Sequence, residues 1–201
     1  MYILYEHVLL GDNKALKQAL ENKVEPVDNQ MERSGTTALY QACQDCNLTA
    51  IELLLQHGAS MYIQNWFKST CAWVLLMQAD NAKDVQHENN YIRCFQALLA
   101  HERQHPPKQS KASILDIKDG FGKPISELIE RKLSLDEPHP IYHRLSSVLQ
   151  DHIHERDDSS KSSGSILRHR EKSNNNSKPT ALTSSSSQQK KEEEERRDGE
   201  T

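Results

Sequence analysis

The feature that most limits what this chain can fold into is a pattern that returns about every 33–35 residues. The clearest copy is Gly35-Thr-Thr-Ala-Leu-Tyr-Gln-Ala-Cys-Gln-Asp-Cys-Asn-Leu-Thr-Ala-Ile-Glu-Leu-Leu-Leu-Gln-His-Gly-Ala59. Its spacing predicts a short helix from Thr37 to Gln44, with Thr37 as N-cap. A tight turn near Asp45–Asn47 follows, then a second helix from Leu48 to Gln56. Leu48, Ile51, Leu54 and Leu55 line one face of that second helix. Gly58 stands where a helix closes on a left-handed residue. Upstream, Leu4–Gly11 matches Leu39–Cys46, and Ala15-Leu16 with Ala19-Leu20 match Ala50-Ile51 with Leu54-Leu55. Downstream, Thr70–Trp73 matches Thr37–Tyr40, with Cys94-Phe95 and Leu98-Leu99 supplying the second helix. About 11 residues, Asp80 to Tyr91, interrupt this third copy and are expected to lengthen its first helix or to form a loop. A poorer fourth copy starts at Asp119-Gly-Phe-Gly122 and runs through Ile125, Leu128 and Ile129.

Single hairpins of this size cannot bury their apolar faces alone. At least about three must stack before a continuous core forms. The expected fold is therefore all-α: an α-solenoid of three to four helix-turn-helix repeats, at about 2–30, 34–63, 67–102 and 116–150. A helix from Ile141 to Ile153 is expected to close the far end, with Pro138 and Pro140 stopping any earlier helix.

Composition sets the domain boundary. Hydrophobic residues make up 35% of the 201 positions and mean hydropathy is −0.80. From Arg156 to Thr201 only Ile166, Leu167, Ala181 and Leu182 are hydrophobic, too few to offset the entropy of ordering that stretch. Residues 1–155 are assigned to the repeat domain, and 156–201 are expected to be a disordered low-complexity tail. The first part carries 15 Lys/Arg against 20 Asp/Glu, net −5, and the tail is net +1. Neither is the strongly basic body of a nucleic-acid binder. No apolar run reaches the roughly 18 residues a membrane span requires. The first residues lack the pattern of a secretory signal, and the four cysteines read as reduced thiols of a cytoplasmic protein. A monomer is expected.

At Gly35-x-Thr37-x-Leu39 with Ala42, then Ile51, Leu54-Leu55 and Gly58-Ala59, the chain resembles an ankyrin repeat. Ala38, Tyr40 and Cys46 replace the proline, histidine and turn glycine of that pattern. In the third unit Lys68 stands at the first glycine, Ala72 at the leucine and Trp73 at the histidine. The resemblance implies a protein partner, bound by the finger-like connections and the concave groove of first helices. It implies no enzymatic activity and no cofactor. The candidate binding residues are Tyr62, Trp66 and Phe67 on the Tyr62–Lys68 finger, with Gln41, Gln44, Asp45, Val74, Met77 and Gln78 expected to be exposed on the first helices. The Pro26–Ser34 connection is a second finger. Trp66 at a finger tip is either an exposed anchor or local packing against the neighbouring finger.

Three other motifs hold chemistry. His101-Glu102-Arg-Gln-His105 matches H-E-x-x-H, the helical pattern of zinc hydrolases with the glutamate as base. Pro106-Pro107 follow directly, so the segment reads instead as a frayed, solvated helix end. Cys43-Gln-Asp-Cys46 matches C-x-x-C without the second pair that a structural zinc site needs, and reads as packed thiols, as do Cys71 and Cys94. His139, His143, His152 and His154 read as solvated histidines around the last helix. In the tail, the acidic run Glu192, Glu193, Glu194 and Glu195 after the serine run 184–187 is similar to the export signal of ankyrin-repeat type IV secretion effectors of intracellular bacteria. That similarity would make the partner a host protein. Otherwise the tail serves as a solubilising, phosphorylatable extension of a structural adaptor.

Overall fold

The computed structural model describes residues 2–106, 112–136 and 138–171, with side chains through Glu155. Two kinds of backbone event recur at the repeat interval and make the hairpins equivalent. The first is the N-cap. Thr37 and Thr70, 33 residues apart, are extended and accept hydrogen bonds from Tyr40 N and Trp73 N through their side chains. Asp12 and Asn47, 35 apart, do the same for Ala15 N and Ala50 N. Each side chain satisfies one of the donors that a helix start leaves without a partner.

The second event is a left-handed residue at fixed places. Gly11 (φ 69) and Cys46 (φ 53) turn the first helix of a hairpin into the second. Lys23 (φ 50) and Gly58 (φ 86) lie just past the second helix. Gly35 (φ 70), Lys68 (φ 60) and Gly122 (φ 78) each stand two residues before the cap of the next first helix. The sites keep their conformation where the glycine has been lost, so the surrounding hairpin dictates it. An L-residue there costs about 1–2 kcal/mol.

These devices shape three hairpins, α1 (Ile3–Leu9) with α2 (Asn13–Glu21), α3 (Ala38–Gln44) with α4 (Leu48–Gln56), and α5 (Cys71–Gln78) with α6 (Val85–Gln104), and the helices α7 (Ile125–Leu133) and α8 (Pro140–Glu171) follow. A short 3-10 turn, Ala79–Asn81, follows α5. Among the described residues there is no strand. The first helices pack as neighbours, α1 on α3 on α5, and the second helices run α2 on α4 on α6. The core between the layers holds Leu4, Leu16, Leu39, Ile51, Leu54, Leu75, Phe95 and Leu98, with small Ala42, Cys43, Ala50 and Ala72 where helices approach closest. Asn13 and Asn47 exchange reciprocal side-chain hydrogen bonds of 3.2 and 3.0 Å from one hairpin to the next.

Two expectations about helix lengths are corrected. The insertion at Asp80–Tyr91 does not lengthen the first helix: residues up to 84 form a 3-10 turn and a short connection, and Val85–Tyr91 lengthen the second helix. Asp84 caps it through His87 N, and α6 runs for 20 residues. The added turns are held down because Asn90 Nδ2 donates to Cys46 O at 2.9 Å. Arg144 of α8 also donates to Asn89 Oδ1 and pairs with Glu88. The closing helix extends to Glu171, past the expected end at Ile153. By contact the chain divides into Met1–Ser159, which holds every hairpin core, and Ser160–Thr201, of which 160–171 are helical. Most of the tail expected to be disordered lies outside the described residues.

Strain at Lys68, one of the three non-glycine left-handed sites among the described residues, is measurable. Lys68→Gly is expected to stabilise by about 0.5–1 kcal/mol, after the entropy of the more flexible unfolded chain is subtracted. A Cβ on Gly58 would meet nothing within 4 Å. Gly58→Ala is therefore expected to cost about 1 kcal/mol through its backbone conformation alone. Urea denaturation would show the two midpoints moving in opposite directions at unchanged slope.

Candidate functional site

The finger before α5 is built around one buried asparagine. Asn65 Oδ1 accepts from Phe67 N at 3.0 Å and Ser69 N at 2.9 Å, and its backbone N donates to Ser69 O. This small closed loop leaves the side chains of residues 66 and 67 no room inside. Trp66 is 58% exposed and Phe67 75% exposed. Trp66 has two faces. Its ring lies over Gly35, where an added Cβ would come within 2.6 Å of the ring, and its Nε1 donates to Glu32 O at 3.1 Å. Its N donates to Ser34 O. One side therefore packs on the preceding finger and the other faces outward. Glycine at position 35 is favoured by its φ and demanded by this contact.

The next connection, 116–124, comes up against Phe67. A Cβ on Gly120 would lie 2.7 Å from Phe67 O. Gln64 Nε2 donates to both Lys68 O and Lys118 O at 2.8 Å, sewing the two fingers together. Asp119 folds its own turn by accepting from Phe121 N and Lys123 N at 2.9 Å, and its other oxygen accepts from Trp73 Nε1 at 3.2 Å. Phe121 is thereby left 85% exposed. A pocket lined by Tyr40, Asn65, Phe67, Ser69, Trp73 and Asp119, with Gly120 and Phe121 at its rim, lies between the fingers and the first helices. Tyr40 OH donates to Ser69 Oγ at 3.4 Å. Burial raises the Tyr40 phenol above its usual range, with Ser69 opposing. Tyr40 and Trp73, at the two positions where the repeat pattern expects histidine, thus each tie a first helix to a finger.

The structure corrects part of the expected set on the first helices. Gln41 is 5% exposed: it accepts from Tyr5 OH at 2.8 Å and donates to Asp45 Oδ2 at 2.8 Å. Val74 is buried in the core. Gln41 lies on the side of α3 that meets α1, which a single-helix reading leaves undecided. Met77 and Gln78 are half-buried, and Gln78 Oε1 accepts from Asn81 Nδ2. Gln44 and Asp45 are exposed at the helix end. Tyr62 is half-buried, and its OH donates to Glu102 Oε1 at 3.2 Å. The acidic run Glu192–Glu195 lies outside the described residues.

The HERQH segment is not a frayed, solvated end throughout. Glu102 is 5% exposed and is the meeting point of three elements. It accepts from Ile114 N at 2.7 Å, Ser113 Oγ at 2.9 Å, Tyr62 OH at 3.2 Å and pairs with His152 Nε2 at 3.1 Å. His152, expected to be solvated, is buried by that contact. Burial, and then the neighbouring carboxylate, push the Tyr62 phenol well up. His101 and His105 stack at 4.4 Å on the outer side, and burial, reinforced by His105, lowers the His101 pKa. Among the described residues no group of three His, Cys, Asp or Glu side chains could hold a metal ion. The signal for Glu102 was its spacing: Phe95, Leu98, Leu99 and Glu102 continue one buried stripe of α6. Phe121 was missed because an isolated phenylalanine beside two glycines has no periodicity to place it.

No family model matches the chain, and no curated protein matches it. Among solved structures it is similar to the ankyrin repeat domain of Bcl-3, described as a unique member of the IkappaB protein family. The identity is 18% and the TM-score 0.43, over 60% of this chain and 43% of that one. It is also similar to EF0377, an ankyrin repeat protein, at 18% identity and TM-score 0.41, over 75% of this chain and 80% of that one. The chain thus spans less than half of the Bcl-3 domain's length.

Removing the Glu102 carboxylate takes away the acceptor of the buried Ile114 N–H and Ser113 hydroxyl. Glu102→Ala is expected to cost about 3–5 kcal/mol. Glu102→Gln, which keeps one acceptor oxygen, is expected to cost less. Urea unfolding of both variants against wild type measures the difference.

Proposed function

We propose that this stack is a non-enzymatic module that binds a protein partner through its fingers, with Trp66, Phe67 and Phe121 as the contact aromatics. The observation that supports this reading is their exposure on loops whose backbones are held by Asn65, Gln64 and Asp119. Large apolar side chains held outward by a rigid support are what a buried interface centre requires. Gln44 and Asp45 extend the surface along the first helices, while Gln41, Val74 and Tyr62 support it from inside. The zinc-hydrolase alternative is disfavoured because Glu102, its general base, is turned inward and held by four partners.

The reading extends to the chain's destination. The Glu192–Glu195 run, by its similarity to an export signal, supports a bacterial effector that leaves a cytoplasm through a type IV system and meets a host protein. Deleting residues 188–201 in a translocation reporter should abolish delivery, and undiminished delivery removes the effector reading while leaving the binding module intact.

Phe67→Ala/Phe121→Ala and Trp66→Ala are expected to keep a cooperative melt. Recovery of the wild-type partner in pull-down should fall at least about tenfold, as loss of hot-spot aromatics does. Unchanged recovery would place the binding surface elsewhere.

A further inference from the structure

The C-x-x-C motif has a use that its spacing does not suggest. Cys43 points into the core and is fully buried, whereas Cys46 is half-buried and turns toward a different partner. Cys46 Sγ lies 3.5 Å from Cys94 Sγ on α6, 48 residues away along the chain. Both are free thiols. We propose that Cys46 and Cys94 form a modification site, at which a hydroperoxide generates a disulfide that fastens the α3–α4 turn to α6.

Several independent features converge on this pair. Closing 3.5 Å to a bond of about 2.05 Å asks for an approach of about 1.5 Å, within the reach of side-chain rotation and small helix shifts. Cys46 occupies a left-handed turn site, φ 53, where the equivalent position of the preceding hairpin is Gly11. A β-carbon is unfavourable there, and strained positions of this kind cluster at functional places. The neighbouring groups suit a thiolate on Cys46. The Cys94 thiol is placed to donate to it, and Asn90 Nδ2, anchored on Cys46 O at 2.9 Å, lies 3.6 Å from the same sulfur. Donation from Cys94 holds the Cys46 thiol below its usual range, while that same bond and burial push Cys94 up. Cys46 is therefore the sulfur that ionises first and the one that solvent reaches, and Cys94 is the protected second sulfur beside it.

The chemistry balances with one equivalent of oxidant. The Cys46 thiolate, its proton already released to solvent, attacks the terminal oxygen of the hydroperoxide. An S–O bond forms, the O–O bond breaks, and the alcohol or water leaves after taking up a proton. Cys94 sulfur then attacks Cys46 sulfur, the S–O bond breaks, and the hydroxyl departs as water with the Cys94 proton. Two thiols are oxidised by two electrons to one disulfide, and the peroxide is reduced. The bridge would close a loop of 48 residues and add a covalent tie between two hairpins that otherwise meet through packing and hydrogen bonds.

The full chain, reduced and desalted, supplies the test, with hydrogen peroxide as the probe. At about one equivalent the intact mass should fall by about 2 Da, and peptide mapping should find Cys46 joined to Cys94. The melting temperature should rise by about 5 °C or more and return on addition of dithiothreitol. Cys43 and Cys71, both buried, should remain titratable as thiols after denaturation. Cys94→Ser should convert the product to a sulfenic acid on Cys46 that dimedone traps, and Cys46→Ser should abolish both products. A bridge between Cys43 and Cys71, dimedone labelling of Cys94 in preference to Cys46, or four free thiols after peroxide treatment would each overturn the proposal. None of these outcomes depends on identifying the protein partner.

Discussion

Contact between successive first helices is the constraint on which the rest of this structure depends. A helix of seven or eight residues is too short to persist alone in water. α1, α3 and α5 are all of this length, so each exists because its neighbours cover it. Ala42 and Ala72, both fully buried, let the backbones come close. The hydroxyls of Thr37 and Thr70 fix where α3 and α5 begin, and the left-handed residues fix how the chain returns. Once that spacing is set, the fingers have little freedom. Their tips are brought side by side and stitched by Gln64, Trp66 and Asp119 to backbone or side chains of the adjoining repeat.

Divergence from the repeat pattern is concentrated where the chain acquires its own properties. Tyr40 and Trp73 reach from the first helices to the fingers and wall a pocket that ends in two exposed phenylalanines. Polar contacts fix α7 and α8 against the third hairpin and the 3-10 turn that precedes α6. Tyr142 OH donates to Asp80 at 2.6 Å, Lys132 of α7 pairs with the same carboxylate, and Arg103 pairs with Glu155. Glu102 is the innermost of these contacts. A buried carboxylate is a poor source of net stability compared with an apolar residue of similar size. Its four partners come from the finger, α8 and the 112–116 segment, so it specifies how those three pieces meet.

Legibility from sequence followed the range of the interaction. Helices α3 and α4 were placed to within a residue or so, because a threonine cap, an apolar stripe and a closing glycine are all local signals. Thr37 as a cap and Gly58 as a left-handed stop were both read from the residues themselves. The side on which the 80–91 insertion extends was misread. Nothing within those polar residues says which helix they join, and the deciding bonds come from Cys46 O and Arg144. Gln41 is buried because a side chain of the preceding first helix, Tyr5, reaches it, a contact that the residues of α3 alone do not reveal.

The sequence by itself determined the repeat, its period, the caps Thr37 and Gly58, and the place of residues 66 and 67 at a finger tip. These follow from nearest-neighbour stereochemistry and from periodicity, which a chain carries locally. Only the tertiary structure decided that Glu102 is buried against His152, that Phe121 joins Phe67 on one surface, and that Cys46 faces Cys94 and not Cys43. In each case the partners are far apart along the chain. Their meeting is set by how hairpins of unequal length stack, a sum of packing and hydrogen-bond energies that no single segment contains.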